Sequence, residues 1–332
     1  MSNNTYKVAG ANAPAFSFIT LPFYYPSATL KPHMSKPKII AIVGPTAAGK
    51  TSLSIDIAKH VDGEVISADS RQVYRGMDIG TSKVTEEEMD GIPHHLLDVV
   101  DPMDIYTAAD FVRDAKNAIE QIQSKEKTPI MAGGTFFYLD LLRGKMQAAP
   151  VEPDRALRES LEQYSNEELL ELLEAKDPRR ATSIDPHNRR RIIRSLEIIE
   201  TLGAVPPVTI VESDHDWLLL GITREKEDLR ERYRARATQW LEQGFKEEVQ
   251  QLLELGVTRE RFQEIGFEYT LMLQLLDSEL TEAEFIDRFE EKNWQYAKRQ
   301  LTWLRKDDSV VWIKPGETDL ALEKVDQFLQ DK

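Results

Sequence analysis

Five consecutive apolar residues, Ile39-Ile40-Ala41-Ile42-Val43, give way to a loop of small residues and then to Leu53, Ile57 and Val61 at helical spacing. That is the pattern of a buried strand, a turn and an amphipathic helix. A second apolar stretch, Val65-Ile66, runs into Ser67-Ala68-Asp69-Ser70 and predicts the next strand, ending in a carboxylate. Thr107 to Gln123 reads as a helix with Ala108, Phe111, Val112, Ala115, Ile119 and Ile122 on one side. Pro129-Ile130-Met131-Ala132 predicts a short buried strand closed by Gly133-Gly134-Thr135. Strands alternating with helices in this way predict a parallel sheet.

Between residues 149 and 211 the strand pattern disappears. Arg155 to Ala175 and Asn188 to Leu202 predict two amphipathic helices, the second with Ile192, Ile193, Leu196, Ile199 and Leu202 as its stripe and Gly203 as its stop. Trp217 to Ile222 predicts a last strand that returns the chain to the sheet. Arg224 to Leu255 predicts one long helix with Leu229, Tyr233, Ala237, Trp240 and Leu241 facing inward. The expected fold class is α/β: a parallel sheet core flanked by helices, built from residues 38–148 and 212–332. An all-helical insertion occupies 149–211, and a loosely ordered extension occupies 1–37.

Composition narrows the class without naming a function. The chain has 332 residues, 30% charged and 41% hydrophobic, an ordinary globular balance. No apolar run approaches the roughly 20 residues of a membrane span. The absence of cysteine excludes disulfides and Cys-ligated zinc, and fits a cytoplasmic protein. A net charge of −15 argues mildly against nucleic acid, but a local basic face still neutralises phosphates. Residues 1–37 contain no Asp, Glu or Arg and only three Lys, broken by prolines. They fit neither a secretory signal nor an Arg-rich transit peptide. Met34, just before Ser-Lys-Pro-Lys-Ile-Ile, is a plausible natural start.

The loop after the first strand carries the strongest chemical signal. Gly44-Pro45-Thr46-Ala47-Ala48-Gly49-Lys50-Thr51 fills every position of G-x-x-x-x-G-K-[ST], with a strand before and a helix after. Gly44 and Gly49 let successive N–H groups turn inward onto phosphate oxygens. The helix adds its positive end, Lys50 a mobile cation, and Thr51 a hydroxyl for magnesium. Such a loop reads polyphosphate, not specifically ATP. Asp69, at the end of the next strand, points to the same site, because ligands gather at the carboxyl ends of parallel strands.

The segment after Ser70 is more specific: Arg71-Gln72-Val73-Tyr74-Arg75-Gly76-Met77-Asp78-Ile79-Gly80-Thr81. With the GPTAAGKT loop, the chain resembles the tRNA dimethylallyltransferase family, whose pattern is a GPTASGKT-like loop and then ADS-x-Q-VY-x-GMDIGT. The resemblance continues through Pro93-His94-His95-Leu96, Gly133-Gly134-Thr135-Phe136-Phe137-Tyr138, His187-Asn188-Arg189-Arg190-Arg191, Leu229, Arg232, Tyr233 and Arg236, Ile265-Gly266-Phe267-Glu268, and Ala297-Lys298-Arg299-Gln300-Leu301-Thr302-Trp303. It spans roughly Pro37 to Arg305. Asn188 departs from the Asp of several members. Taken alone, His94 and His95 read as turn or packing residues.

The resemblance implies a P-loop NTPase-like core and transfer of a dimethylallyl group from dimethylallyl diphosphate to the exocyclic amine of the adenosine 3′-adjacent to the tRNA anticodon. Mg2+ is the implied cofactor, the tRNA anticodon stem-loop the partner, and a monomer the expected state. Asp69, Lys50, Thr135 and Arg232 are then the catalytic candidates. Gly44, Thr46, Ala47, Ala48, Gly49, Lys50, Thr51, Arg232 and Arg236 hold the diphosphate. The tRNA falls to Asp69, Ser70, Arg71, Gln72, Thr135, Arg158, Asn188, Arg189, Arg190, Arg191, Ile265, Gly266, Phe267, Lys298, Arg299 and Gln300. Alternatives stay open at several of these. Asp69 is either the general base or a magnesium support, Arg232 either a phosphate clamp or an ion-pair partner of Glu225, Glu227 or Asp228, and Arg189 to Arg191 either an RNA contact or a solvated helix face. Phe136 and Tyr138 line a tunnel or fill the core. A P-loop small-molecule or nucleotide kinase is the rival enzyme, and an RNA-binding nucleotide switch the non-enzymatic one. The strand ending in Gly133-Gly134-Thr135 lacks the Asp that both rivals would want there.

Overall fold

The sheet is ordered by which strands can be buried on both faces. The computed structural model describes residues 36–331, so the extension expected at 1–37 lies outside the described residues save for Lys36 and Pro37. In chain order the elements are β1 (Lys38–Val43), α1 (Lys50–Val61), β2 (Gly63–Ser67), α2 (Glu86–Met89), β3 (His94–His95), α3 (Ala108–Ser124), β4 (Thr128–Ala132) and α4 (Phe136–Leu142). Four helices come next: α5 (Arg155–Leu161), α6 (Asn166–Lys176), α7 (Pro178–Ser183) and α8 (Arg189–Leu202). The chain ends with β5 (Asp216–Ile222), α9 (Lys226–Gln243), α10 (Phe245–Glu254), α11 (Arg259–Ile265), α12 (Phe267–Leu276), α13 (Glu282–Leu304), β6 (Val310–Ile313) and α14 (Thr318–Gln330).

The six strands are all parallel, in the order β3-β2-β4-β1-β5-β6. Strand β1 sits between β4 and β5, with Ile40 opposite both Ile130 and Leu218. Its residues alternate between faces. Ile39, Ala41 and Val43 pack with Phe111, Ala115 and Ile119 of α3, whereas Ile40 and Ile42 pack with Leu53 and Ile57 of α1 and Val325 of α14. A strand buried on both faces reads as an unbroken apolar run, as this one does.

Two further clusters lie off the sheet. One joins α9, α10, α12 and α13 to Val73, Tyr74 and Met77 through Tyr233, Trp240, Phe245, Tyr269, Phe285 and Phe289. The other is confined to α5, α6, α8 and their connections: Leu161, Leu169, Leu173, Ile184, Ile192, Ile193, Leu196 and Ile199.

Four expectations need correction. The helix expected over Arg155–Ala175 is two, α5 and α6, because Ser165 and Glu168 form a capping box that starts a new helix. The helix expected over Arg224–Leu255 breaks at Gly244, whose φ of 96° ends α9 and opens α10. Strand β5 is not the last, since β6 pairs beyond it through Leu219–Val310 to Ile222–Ile313. Strand β3, formed by His94 and His95, extends the other edge. His95 faces the buried Glu64 at 2.8 Å, a packing partner as expected.

Candidate active site

The carboxyl ends of β1, β2 and β4 open on one cleft of about 340 Å³. Its lining includes Thr46, Ala47 and Gly49 to Ser52 from the phosphate loop, Asp69 to Gln72, Thr135, Arg232 and Arg236 of α9, Glu268, and Asn293 and Tyr296 of α13.

The loop at residues 44–51 leaves backbone donors without side-chain partners at the cleft. Helix α1 starts at Gly49, φ 103°, with no side-chain cap, whereas α3 and α13 both start with capping boxes. The free N–H groups of α1 therefore face the cleft. Lys50 Nζ turns back onto the Gly44 and Pro45 carbonyls, at 3.2 and 2.8 Å. Burial lowers its pKa to about 8, against the pull of Asp69 and with a push from Arg236. The loop is braced from three sides. Tyr233 Oη donates to the Thr46 carbonyl at 3.2 Å, Arg224 Nε to the Ala48 carbonyl at 2.8 Å, and the Thr46 N–H donates to Gln300 Oε1 at 3.2 Å.

The two outer arginines of the cleft come from one face of α9, four residues apart. Arg232 Nε donates to Asp228 at 2.7 Å, which leaves its two terminal nitrogens free for the cleft. Of the two readings of Arg232, the ion pair is formed, with Asp228, and it leaves the outer end of the guanidinium at the cleft. Arg236 lines the cleft without a carboxylate partner among the described residues. Burial lowers its pKa, and Arg232 lowers it further. The intervening residues point away: Arg230 pairs with Glu290, and Arg234 with Asp287 at 2.6 Å.

Across the cleft, Asp69 accepts from the Arg71 N–H at 2.9 Å, and Thr135 Oγ1 accepts from the Ser70 N–H at 3.2 Å. The Arg71 guanidinium pairs with Glu268 and lies between the rings of Phe267 and Tyr296, 5.6 and 6.0 Å from their centroids. Gln72 is fully occupied elsewhere. It accepts from Ser67 Oγ at 2.9 Å and donates to the Thr81 and Ser82 carbonyls, pinning the Gly76–Thr81 loop. Glu248 holds the same loop by accepting the N–H groups of Asp78, Ile79 and Gly80.

The other expected residues divide by place. Ile265, Gly266 and Phe267 form the α11–α12 junction beside Arg71. Lys298 and Arg299 are exposed on α13 and line an open groove of about 510 Å³ with Trp303 and Lys306, while Gln300 is turned inward, 3% exposed. Tyr138 stacks on Phe111 with centroids 4.0 Å apart, so it is core and not tunnel wall, and Phe136 packs in the same cluster. In α5–α8, Arg158 grips Glu197 with two bonds of 2.9 Å, and Arg189 bonds Glu162, Tyr164, Asn166 and Leu161. Asn188 caps α8 through the Arg191 N–H. Arg190 and Arg191 stay exposed.

A family profile described as IPP transferase matches residues 72–307. The chain belongs to this family. It is 39% identical over 313 residues to the tRNA dimethylallyltransferase of Halalkalibacterium halodurans, covering 90% of this chain and 98% of that one. It is 36% identical over 304 residues to that of Bacillus subtilis, covering 89% and 96%. Among solved structures it is similar to the full-length tRNA isopentenylpyrophosphate transferase from Bacillus halodurans, with TM-score 0.65, 38% identity and 89% and 96% coverage. It is also similar to a eukaryotic dimethylallyltransferase acting on tRNA, with TM-score 0.72, 28% identity and 88% and 79% coverage.

Arg224, Tyr233, Glu248 and Glu268 were not among the sequence candidates for the site. The first three act on backbone groups far away in sequence, and nothing local in their own segments announces that. Glu268 was visible only as the residue after the expected Ile265-Gly266-Phe267 motif.

Proposed function

We propose that this chain transfers a dimethylallyl group from dimethylallyl diphosphate to the exocyclic amine of the adenosine 3′-adjacent to a tRNA anticodon, releasing pyrophosphate, and that it does so as a cytoplasmic monomer. The observation that carries the reading is Arg236: a half-buried guanidinium with no carboxylate partner among the described residues, in the same cleft as Lys50, the uncapped α1 terminus and Asp69. A partly buried cation without an anion still carries a desolvation cost, and a diphosphate relieves it.

In this reading the loop amides, Lys50, Arg232 and Arg236 take the diphosphate and the charge it gains as the allylic C–O bond breaks. Lys50 leaves the Gly44 and Pro45 carbonyls for phosphate oxygens. Asp69 accepts the proton lost by the amine, and Thr135 steadies the Ser70 turn beside it. The target base leaves its stack at a cost of a few kcal/mol, lower in a loop than in a duplex. Phe267, Arg299 and Lys298 meet the RNA at the mouth.

Magnesium fits the residues present. Thr51 offers a hydroxyl at the cleft, and this ion commonly takes few protein ligands. Bound there, it would neutralise charge on the leaving diphosphate.

The test is direct. Protein, magnesium, labelled dimethylallyl diphosphate and total tRNA are incubated together, and the label moves into RNA at adenosine. Label that stays in small molecules overturns the reading. No helix of the described residues is long and apolar enough to cross a membrane.

A further inference from the structure

Besides Asp69 and Glu88, which is spent in the capping box of α2, the cleft holds one further carboxylate to which dimethylallyl transfer gives no task. Glu268 is 5% exposed and shares the cleft with Asp69 and Arg71. Its Oε1 accepts from Arg71 Nη1. Its Oε2 is buried and takes no hydrogen bond from another described residue, the nearest donor to the carboxylate besides Arg71 being Glu268's own N–H at the start of α12. A buried acceptor left unmade carries its full desolvation cost, so native structures hold few of them.

Anchoring Arg71 does not account for this arrangement. A guanidinium forks onto both oxygens of a carboxylate where it can, as Arg158 does with Glu197. Arg71 takes one oxygen of Glu268 and, through its backbone N–H, one oxygen of Asp69. Each carboxylate keeps one oxygen unused by any other described residue. Burial raises the pKa of Glu268 against the pull of Arg71, and the charge of Asp69, which lines the same cleft, raises it further.

We propose that Glu268 accepts a hydrogen bond from the exocyclic amine of the substrate adenosine, through the N–H that the product keeps. The proposal rests on the dimethylallyl-transfer reading. That amine carries two N–H bonds. As its nitrogen bonds to the allylic carbon, the carbon–oxygen bond to diphosphate breaks and its electron pair leaves with pyrophosphate. One N–H proton passes to Asp69. The other stays on the product nitrogen and needs an acceptor throughout. Rotation about the terminal torsion of Glu268, which is broad for a carboxylate, brings its oxygens round together, so the bond to the amine is made as the Oε1 bond to Arg71 loosens. An acceptor on each N–H fixes the plane of the amine and presents the nitrogen to the donor carbon. The same pair rejects a base with a carbonyl at that position, whose oxygen would face two carboxylates.

The test uses anticodon stem-loop RNA carrying adenosine or N6-methyladenosine at the target position, with wild-type protein, Glu268→Gln and Glu268→Ala. With wild type, the methyl group removes the Glu268 bond and transfer falls about 10- to 100-fold, the scale of a charge-assisted bond. In both variants, transfer to adenosine falls by a comparable factor, the penalty for the methyl group shrinks toward none, and KM for dimethylallyl diphosphate and the melting temperature hold. Glu268→Gln keeps a carbonyl for Arg71 and preserves the test if the alanine variant folds poorly. An equal methyl penalty in wild type and variants overturns the proposal and leaves Glu268 as an anchor for Arg71. If wild-type protein transfers to neither RNA, the dimethylallyl-transfer reading itself falls, and this inference with it.

Discussion

Two sets of arginines on this chain look alike in sequence and differ in structure. On α9 the cleft-facing pair, Arg232 and Arg236, keeps donors free: Arg232 spends only Nε on Asp228, and Arg236 has no ion-pair partner among the described residues. In α5–α8, Arg158 and Arg194 converge on Glu197, and Arg189 is consumed by the α5–α6 connection. Glu197 is 1% exposed, and despite the desolvation that would raise its pKa, hydrogen bonds from Arg158 and Arg194 hold it below the usual carboxylate range. An arginine whose donors are spent within the fold builds the fold. One held at a cleft with donors to spare is free to take a ligand there. Residue type in a motif cannot separate the two, because what separates them is where the carboxylates lie.

The strongest way to test the cleft side of this contrast is its carboxylate. Asp69→Asn keeps the shape and an accepting carbonyl but takes no proton at neutral pH. Turnover should fall about 10²- to 10⁴-fold, with tRNA and diphosphate still bound. Single-turnover rates and equilibrium binding measure the two separately. Recovery of rate by added magnesium would move Asp69 from base to metal support.

Next comes the contrast within α9 itself. Arg236→Gln should raise KM for dimethylallyl diphosphate about 10- to 100-fold, since a charged hydrogen-bond donor to phosphate is lost. Arg234→Gln, two residues earlier but paired with Asp287 on the exposed side, should leave KM unchanged. Steady-state kinetics on the two variants decide it. Equal effects would mean that α9 arginines act through general charge and not through the cleft.

Much of this was legible in the sequence because it is local. The phosphate loop, the carboxylate after β2 and the alternating strands and helices are read over a few residues each. The sites of helix breakage were also written locally, at Ser165 and Gly244, but the apolar stripe on either side is continuous enough to hide them. Strand β6 was missed because Val310–Ile313 is a four-residue apolar run with no period of its own. The braces of the site are long-range. Gln300 reaches Thr46 across 254 residues, and Glu248 reaches Ile79 across 169. Both are polar residues on apolar helix faces, and only the fold shows which backbone groups they satisfy. Gln72 and Gln300 were expected at the tRNA. Their hydrogen bonds hold loops of the site, so any RNA effect of replacing them should be indirect.

The cleft contrast also has a pH signature. Lys50 has a folded pKa of about 8, below its ordinary 10.5, because burial disfavours its charge. The depressed value means that folding weakens proton binding at this amine. Its cost to stability is present below about pH 8 and shrinks as pH rises toward the unfolded value, where both states are neutral. A diphosphate restores the charged form. Its affinity should therefore fall about tenfold between about pH 7 and about pH 9, with proton uptake on binding near the upper end. Calorimetry in buffers of different ionisation enthalpy measures both quantities. Flat affinity and no uptake would mean that Lys50 stays charged without ligand.

The smallest effect separates neighbours on α8. Arg189 makes five hydrogen bonds to the α5–α6 segment. Arg190 is exposed, with one long bond of 3.4 Å to the Gln263 carbonyl, and Arg191 is exposed beside it. Arg189→Ala should cost about 1–3 kcal/mol of stability, because carbonyls it satisfies lose a charged donor, and it should leave the salt dependence of tRNA binding unchanged. Arg190→Ala and Arg191→Ala should do the opposite: a melting temperature within error of wild type and a salt slope shallower by about 0.7–0.9 per lost phosphate contact. Thermal melts and tRNA titrations at several salt concentrations give both readouts on the same three variants. The measurement tests the contrast where it is weakest, since all three residues sit in one Arg-Arg-Arg run and differ only in what the fold has already given them to hold. If Arg189→Ala flattens the slope as much as Arg190→Ala, then a spent arginine still sees the RNA, and partners in the free protein do not decide which cations bind it. If none of the three changes the slope, α8 presents a solvated face and the RNA is held from α13 and the α11–α12 junction.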